Sequence, residues 1–396
     1  MSANFKIRCA HLPSDNSCIV KFKKRASREQ FKRLSFLHAN KIDGENMNLK
    51  ILAFLSFVAL NLGASEVSLR QMAAQMIMIG FNGVSAKEAS VRAMLSDAGY
   101  GRFGGVILLG RNIQNKAQLS ALTSAIKSKQ PKILIAIDEE GGQISRLKDA
   151  SFGANYPSAL DVATSLDIAQ TSELYANMAK NLRECGVNLD FAPVIDLHDD
   201  ASPIIGAKER AFSPNASKVT FYAGIFVDAF KKERVITTLK HFPGHGGSAQ
   251  DSHKDKSTVE LSKEALTPYK QMIAAGRAQL IMVGHLYIKD VDEQNPASLS
   301  HKAISRLLRE GLGYEGAVIS DDMMMKGSGD DPLSEKVVKF INAGGDILLF
   351  NEFKIGNQRT ADIVTQYILD AVAQGKISKE RIKQSYERIE ALKALL

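Results

Sequence analysis

From Ser65 onward, short apolar runs alternate with stretches in which an apolar residue recurs at every third or fourth position. The short runs are MIMIGF, GGVILLG, KILIAID, VNLDFAPVIDL, RVITTLKH, LIMVGH, GAVISDD and DILLFN. Each has the length and composition of a buried strand. Between them lie amphipathic patterns such as SAKEASVRAMLSDAG, KAQLSALTSAIKSKQ and PLSEKVVKFINAGG, which read as helices that cover a sheet. Eight such units over about 330 residues predict an α/β fold, a (β/α)8 TIM-like barrel, in preference to an open doubly wound sheet. No Pro-, Gly- or Ser-rich linker divides this part of the chain, so residues 65–396 are expected as a single domain. The last segment, SKERIKQSYERIEALKALL, reads as a terminal helix that closes the barrel.

One motif is discounted on order alone. GYGRFG, Gly99 to Gly104, matches the GxGxxG dinucleotide fingerprint letter for letter. That fingerprint follows a strand and opens a helix, whereas this stretch ends a helix pattern and enters the strand GGVILLG. It is expected as a helix stop and turn.

Composition and charge narrow the class. Of 396 residues, 45% are hydrophobic and 24% charged, which predicts a sizeable core rather than disorder. The net charge is +8, but residues 1–46 hold ten Lys/Arg against four Asp/Glu and so carry most of it. The rest of the chain is nearly neutral, too little for a surface that tracks a phosphate backbone, and nucleic acid is not an expected partner. Cys9 and Cys18 lie in the basic leader. Cys185 follows the helical pattern ELYANMAKNLRECG and is expected to be a core residue. There is neither a disulfide framework nor a CxxC zinc pattern.

The segment MNLKILAFLSFVALNLGAS, beginning at Met47, reads as a secretory signal. Lys50 gives a short polar start, Ile51–Leu62 an apolar run, and Gly63, Ala64 and Ser65 a small-residue end. The run is too short for a stable membrane anchor. We therefore expect residues 1–46 to be a basic extension outside the fold and 47–64 a signal peptide. Translation from Met47 implies a periplasmic or exported protein; the alternative is a cytoplasmic one, with the run as an N-terminal core helix.

In a parallel barrel, chemistry gathers where strands end, at the C-terminal mouth. Here Asp138 ends LIAID, Lys240 and His241 end VITTLKH, His285 ends LIMVGH, and Asp321 and Asp322 follow AVIS. One such residue could be a helix N-cap, and for Asp322 that reading and a functional one stand even. Four at equivalent places describe a polar pocket with both signs of charge.

The stretch KHFPGHGGSAQDSHKD, Lys240 to Asp255, raises three readings. His241, His245, Asp251 and His253 could ligate zinc, but Pro243 and Gly244 forbid the helix of an HExxH site and the spacing matches no standard cage. A phosphate cradle needs a glycine loop that leads straight into a helix, and here some twenty residues intervene before SKEALTPYKQMIAAG. In the third reading Asp251 accepts a ring N–H of His253, orients the imidazole, and leaves its other nitrogen to give and take a proton. Long loops of this kind in compact domains are usually functional.

With these motifs in hand, the chain resembles the β-N-acetylglucosaminidases of glycoside hydrolase family 3. The resemblance spans roughly residues 68 to 390 and rests on DEEGGQISRL, DFAPVIDL, ERAFSPN, KHFPGHG followed by DSH, and ISDDMMMKG. It is to the compact, single-barrel members, which act in peptidoglycan recycling. Glu139 stands where glutamine is common among them, and Gly247 where many have aspartate. The resemblance implies that Asp321 is the nucleophile, His253 the general acid/base and Asp251 its polarising partner. It also implies that Asp138, Arg146, Arg210, Lys240 and His241 hold the sugar, with no metal and no cofactor. The implied partner is an N-acetylglucosamine-containing oligosaccharide or muropeptide, acted on by a monomer with no stable membrane insertion. The activity so expected is that of a retaining exo-β-N-acetylglucosaminidase. A metal-dependent barrel hydrolase and a non-catalytic wall-sugar-binding protein are the rival classes.

Overall fold

The computed structural model describes residues 67–153, 155–248, 256–289 and 291–396. The expectations for residues 1–46 and 47–64, and for Asp251 and His253, lie outside the described residues. Val67–Leu396 forms one compact unit. Among the described residues no helix is long and apolar enough to cross a membrane.

Eight parallel strands close into a barrel: β1 (Ile77–Ile79), β2 (Gly105–Leu108), β3 (Leu134–Ile137), β4 (Leu189–Asp190), β5 (Ile236–Phe242), β6 (Leu280–Val283), β7 (Ala317–Asp322) and β8 (Ile347–Phe350). Each pairs with its sequence neighbours, and β8 returns to β1 with Ile77 opposite Leu348. Seven lie within the quoted apolar runs, and β5 runs one residue past its run, to Phe242. The short strands are buried almost throughout, because helices cover one face and the barrel interior the other. The open-sheet alternative is thereby replaced by the closed one.

The covering helices are α1 (Leu69–Gln75), α2 (Ala89–Gly99), α3 (Lys116–Lys129), α4 (Ala159–Ser165), α5 (Ile168–Glu184), α6 (Ala216–Lys232), α7 (Lys263–Ala274), α8 (Leu333–Ala343), α9 (Thr360–Ala373) and α10 (Lys379–Lys393). A π-helical segment, Lys302–Gly311, fills the place between β6 and β7. Most starts are set by side chains that accept an orphan N–H of the first turn: Ser68, Asn115, Ser158, Asp167, Asn215, Ser262 and Ser378 all do so. α10 packs on α1, so the terminal helix closes the ring as expected.

GYGRFG is the helix stop that its order implied. α2 ends at Gly99, Gly101 takes φ +65°, and β2 begins at Gly105. Gly104 meets the end of α1 so closely that a Cβ there would lie 2.1 Å from the Gln75 carbonyl oxygen. Cys185 is fully buried, as expected of a core residue.

Two irregularities in the ladder position the site. Leu239 pairs with Ile281 and Phe242 with Val283, so Lys240 and His241 together oppose the single residue Met282. Likewise Ile319 pairs with Ile347 and Asp322 with Leu349, so Ser320 and Asp321 oppose Leu348 alone. Each is a β-bulge, which re-aims side chains where regular pairing would alternate them. Both lie at the C-terminal ends of their strands. The opposite end of the barrel is a structural seam, where Asp346, fully buried before β8, receives Arg309 (2.7 Å) and Arg381 (3.0 Å) and ties α10 to the barrel floor.

Candidate active site

β3 runs directly into three acidic residues, Asp138, Glu139 and Glu140, and then into a tight hairpin. The Glu140 N–H donates to the Ile144 carbonyl (2.9 Å) and the Ile144 N–H to that of Gly141 (3.2 Å). Gly141 and Gly142 take φ of +84° and +54°, and a Cβ on Gly141 would lie 2.3 Å from the Pro157 carbonyl oxygen. Only glycine suits that turn. The three carboxylates therefore leave β3 on successive residues: Asp138 and Glu140 meet at Lys240, while Glu139 turns to the amides of Arg146 and Leu147.

Glu140 is buried and joins two cations. Its carboxylate accepts both Nε and Nη2 of Arg210 at 2.8 Å, a two-pronged pair, and Lys240 Nζ at 2.6 Å. Burial alone would raise the Glu140 pKa, but Arg210 and Lys240 hold it well below the usual carboxylate range. Burial likewise opposes the Lys240 charge, and Glu140 and Asp138 more than offset it, so the ammonium is held upward. Asp138 accepts Lys240 Nζ at 3.1 Å, and Arg146 Nη2 lies 3.6 Å from its other oxygen. Asp138 and Arg146 keep 20% and 25% of their side chains exposed, so both reach the pocket surface.

His241 is oriented from both sides. Its Nδ1 donates to Asp196 Oδ2 at 2.8 Å, and Arg210 Nη2 donates to its Nε2 at 3.2 Å. Asp196 is fully enclosed and also accepts the backbone N–H of His245 at 2.8 Å. Burial works against its charge, yet the His241 ring and these donors leave its pKa lowered. His245 is itself buried, and burial, with the nearby His241, pushes its pKa down to about 4. It is therefore neutral at ordinary pH.

Asp321 sits on the β7 bulge, half-buried, with one carboxylate oxygen accepting the Asp322 N–H at 2.8 Å. Burial pushes the Asp322 pKa up to about 6, with Asp321 adding to it. Asp322 does not open a helix; its Oδ1 accepts the Met324 N–H at 3.1 Å in the turn that follows. His285, at the end of β6, is fully buried and ties β7 down: its Nε2 donates to the Asp322 carbonyl at 2.9 Å while Ser298 Oγ lies 2.7 Å from Nδ1.

Asp138, Lys240, Arg210 and His241 are thus linked through hydrogen bonds and the shared Glu140, with Arg146 beside Asp138 at ion-pair distance and Asp321 at the same mouth of the barrel. Asp251 and His253 are not described. The chain on either side of them is anchored, since the Ser248 and Ser257 hydroxyls share a hydrogen bond and Ser257–Val259 pairs in parallel with Leu286–Ile288. Sequence reasoning missed Glu140 and Asp196, the two buried acids that seat the cations and the imidazole. The signal was present: an aspartate inside VNLDFAPVIDL is an acid in an apolar run, and such an acid needs a partner. Among the described residues no group of three or more His, Cys, Asp or Glu side chains is placed to hold a metal ion.

Residues 68–392 match the family model described as the glycosyl hydrolase family 3 N terminal domain. The chain belongs to glycosyl hydrolase family 3. The beta-hexosaminidase LpqI of Mycobacterium tuberculosis is 31% identical over 340 residues, 83% of this chain and 83% of that protein. Beta-hexosaminidase A of Pseudoalteromonas piscicida is 32% identical over 330 residues, 74% of this chain but 53% of the relative, so this family 3 chain spans about half of that protein. Among solved structures, a family 3 beta-N-acetylglucosaminidase from Paenibacillus sp. str. FPU-7 superposes with a TM-score of 0.75 at 30% identity, covering 83% of this chain and 63% of that one.

Proposed function

We propose that this family 3 domain is a retaining exo-β-N-acetylglucosaminidase that removes terminal N-acetylglucosamine from peptidoglycan fragments. The observation that carries the reading is the juxtaposition at one barrel mouth of an accessible carboxylate, Asp321 on its bulge, with the interlocked cluster of Asp138, Arg146, Arg210, Lys240 and His241. The names of the relatives support the same sugar.

Hydrolysis of a glycosidic bond with retention needs one group to attack the anomeric carbon and another to protonate the leaving oxygen. Asp321 attacks, while protonated His253, oriented by Asp251, donates to the departing oxygen. Neutral His253 then takes a proton from water as it releases the glycosyl–Asp321 ester. Lys240 and Arg210, seated by Glu140, present fixed positive charge and donors, and Asp138 an acceptor, so the ring is held without reorganisation during reaction. Export from Met47 would direct the enzyme to wall fragments outside the cytoplasm.

The test is nitrophenol release from p-nitrophenyl N-acetyl-β-glucosaminide in EDTA, with Asp321→Asn and His253→Ala alongside. Wild type should release nitrophenol, and Asp321→Asn should lose several orders of magnitude. His253→Ala should lose less on this good leaving group than on an alkyl glycoside, which needs protonation. Equal losses on both would remove the acid role, and no release by any form would remove the hydrolase reading.

A further inference from the structure

Arg146 has a weak hold of its own. Its guanidinium stands 3.6 Å from Asp138, beyond hydrogen-bond distance, and its Nε has no partner among the described residues. Its position must therefore come from its backbone. That backbone is gripped by one side chain: Glu139 Oε2 accepts the Arg146 N–H at 2.7 Å and the Leu147 N–H at 3.0 Å. Glu139 is fully buried beneath the hairpin, and its own N–H is fastened to Asp190 Oδ1 at 2.9 Å at the end of β4. The hairpin is thus closed twice, by the Glu140–Ile144 bond near its tip and by the Glu139 carboxyl across its neck.

We propose that Glu139 is a positioning residue of the sugar pocket: through the Arg146 and Leu147 amides it sets the Arg146 guanidinium against Asp138. A buried carboxyl that accepts two adjacent amides fixes both the distance and the direction of the strand leaving the turn. Asp138 and Arg146 flank Glu139 in the structure, so one side chain below the pocket floor registers two groups on its surface. The functional part of this inference rests on the glycosidase reading above.

Two substitutions separate this role from simple packing. Glu139→Gln keeps an oxygen that accepts both amides, whereas Glu139→Leu fills the same space and accepts nothing. The readouts are hydrogen exchange at the Arg146 and Leu147 amides, and KM and kcat on p-nitrophenyl N-acetyl-β-glucosaminide. Glu139→Gln should keep both amides protected and KM within about twofold; Glu139→Leu should expose both and raise KM about tenfold with kcat within about threefold, the pattern of lost ground-state positioning. Wild-type protection or wild-type KM in the Leu variant overturns the proposal. So does a Gln variant that exposes both amides or raises KM about tenfold, and this arm remains decisive if the Leu variant does not fold. If the wild type releases no nitrophenol, the glycosidase reading fails, and amide exchange still decides whether Glu139 holds Arg146.

Discussion

Replacing Glu140 with alanine tests whether the site is built around that carboxylate. The change leaves buried Lys240 and largely buried Arg210 facing each other without their shared anion. Removing one partner of a buried ion pair costs about 3–5 kcal/mol, because the remaining charge is left uncompensated. The domain Val67–Leu396 has 330 residues. At about 2 cal/mol/K of unfolding entropy per residue, the loss corresponds to a Tm drop of roughly 4–7 °C. The pH dependence gives a second check. The Glu140 pKa is depressed in the fold, so its stabilisation is fully present above the unfolded value of about 4.3 and is lost as pH falls through the folded value. The gap in Tm between wild type and Glu140→Ala should therefore be constant from about pH 5 to 8 and narrow below about pH 4. Glu140→Gln keeps one acceptor but no charge and should fall between the two. The assay is thermal unfolding across pH at fixed ionic strength. A Tm change under about 1 °C, or a gap that widens on acidification, would refute the reasoning.

Three further substitutions probe the barrel mouth. Gly246→Ala would put a Cβ 1.9 Å from the Leu197 carbonyl oxygen, while Gly247 has open space around it; chemical denaturation should show a loss of about 1–3 kcal/mol for the first and within about 0.5 kcal/mol of wild type for Gly247→Ala. Asp322 has its folded pKa raised to about 6 by burial, so the stability it contributes below its unfolded value, about 3.9, is lost as pH rises through 6. Asp322→Asn should therefore gain Tm relative to wild type between pH 4 and 7, and a flat difference would exclude ionisation of that group.

The strands were legible because a parallel strand covered on both faces must be largely apolar, and the quoted runs were so apart from a few polar residues, most of them at the strand ends. Helix starts were less so. The pattern from Ser85 suggested a helix four residues before α2 begins at Ala89. Glu88 explains the delay: its carboxylate accepts the Val84 and Ser85 N–H groups at 2.8 and 2.9 Å and holds that segment as a turn. The strand-end rule found Asp138, Lys240, His241 and Asp321, but it gave His285 the same weight, and His285 is enclosed and bonded to main chain. Nothing in the letters DEE distinguishes Asp138, which reaches the pocket, from Glu139, which turns into the core, and Glu140, which takes two cations.

The sequence by itself determined the number and order of the strands, the presence of covering helices between them, and the residue types gathered at the strand ends. These follow from local period and hydrogen-bonding preference, which act over a few residues. Only the tertiary structure decided which charges meet, since Lys240 and Asp138 stand 102 residues apart along the chain. It also decided that two bulges turn Lys240–His241 and Ser320–Asp321 against single partners, because register depends on the neighbouring strand rather than on the strand itself. Closure of the barrel brings β3, β5 and β7 to one mouth, and burial there makes each charge depend on the partner beside it.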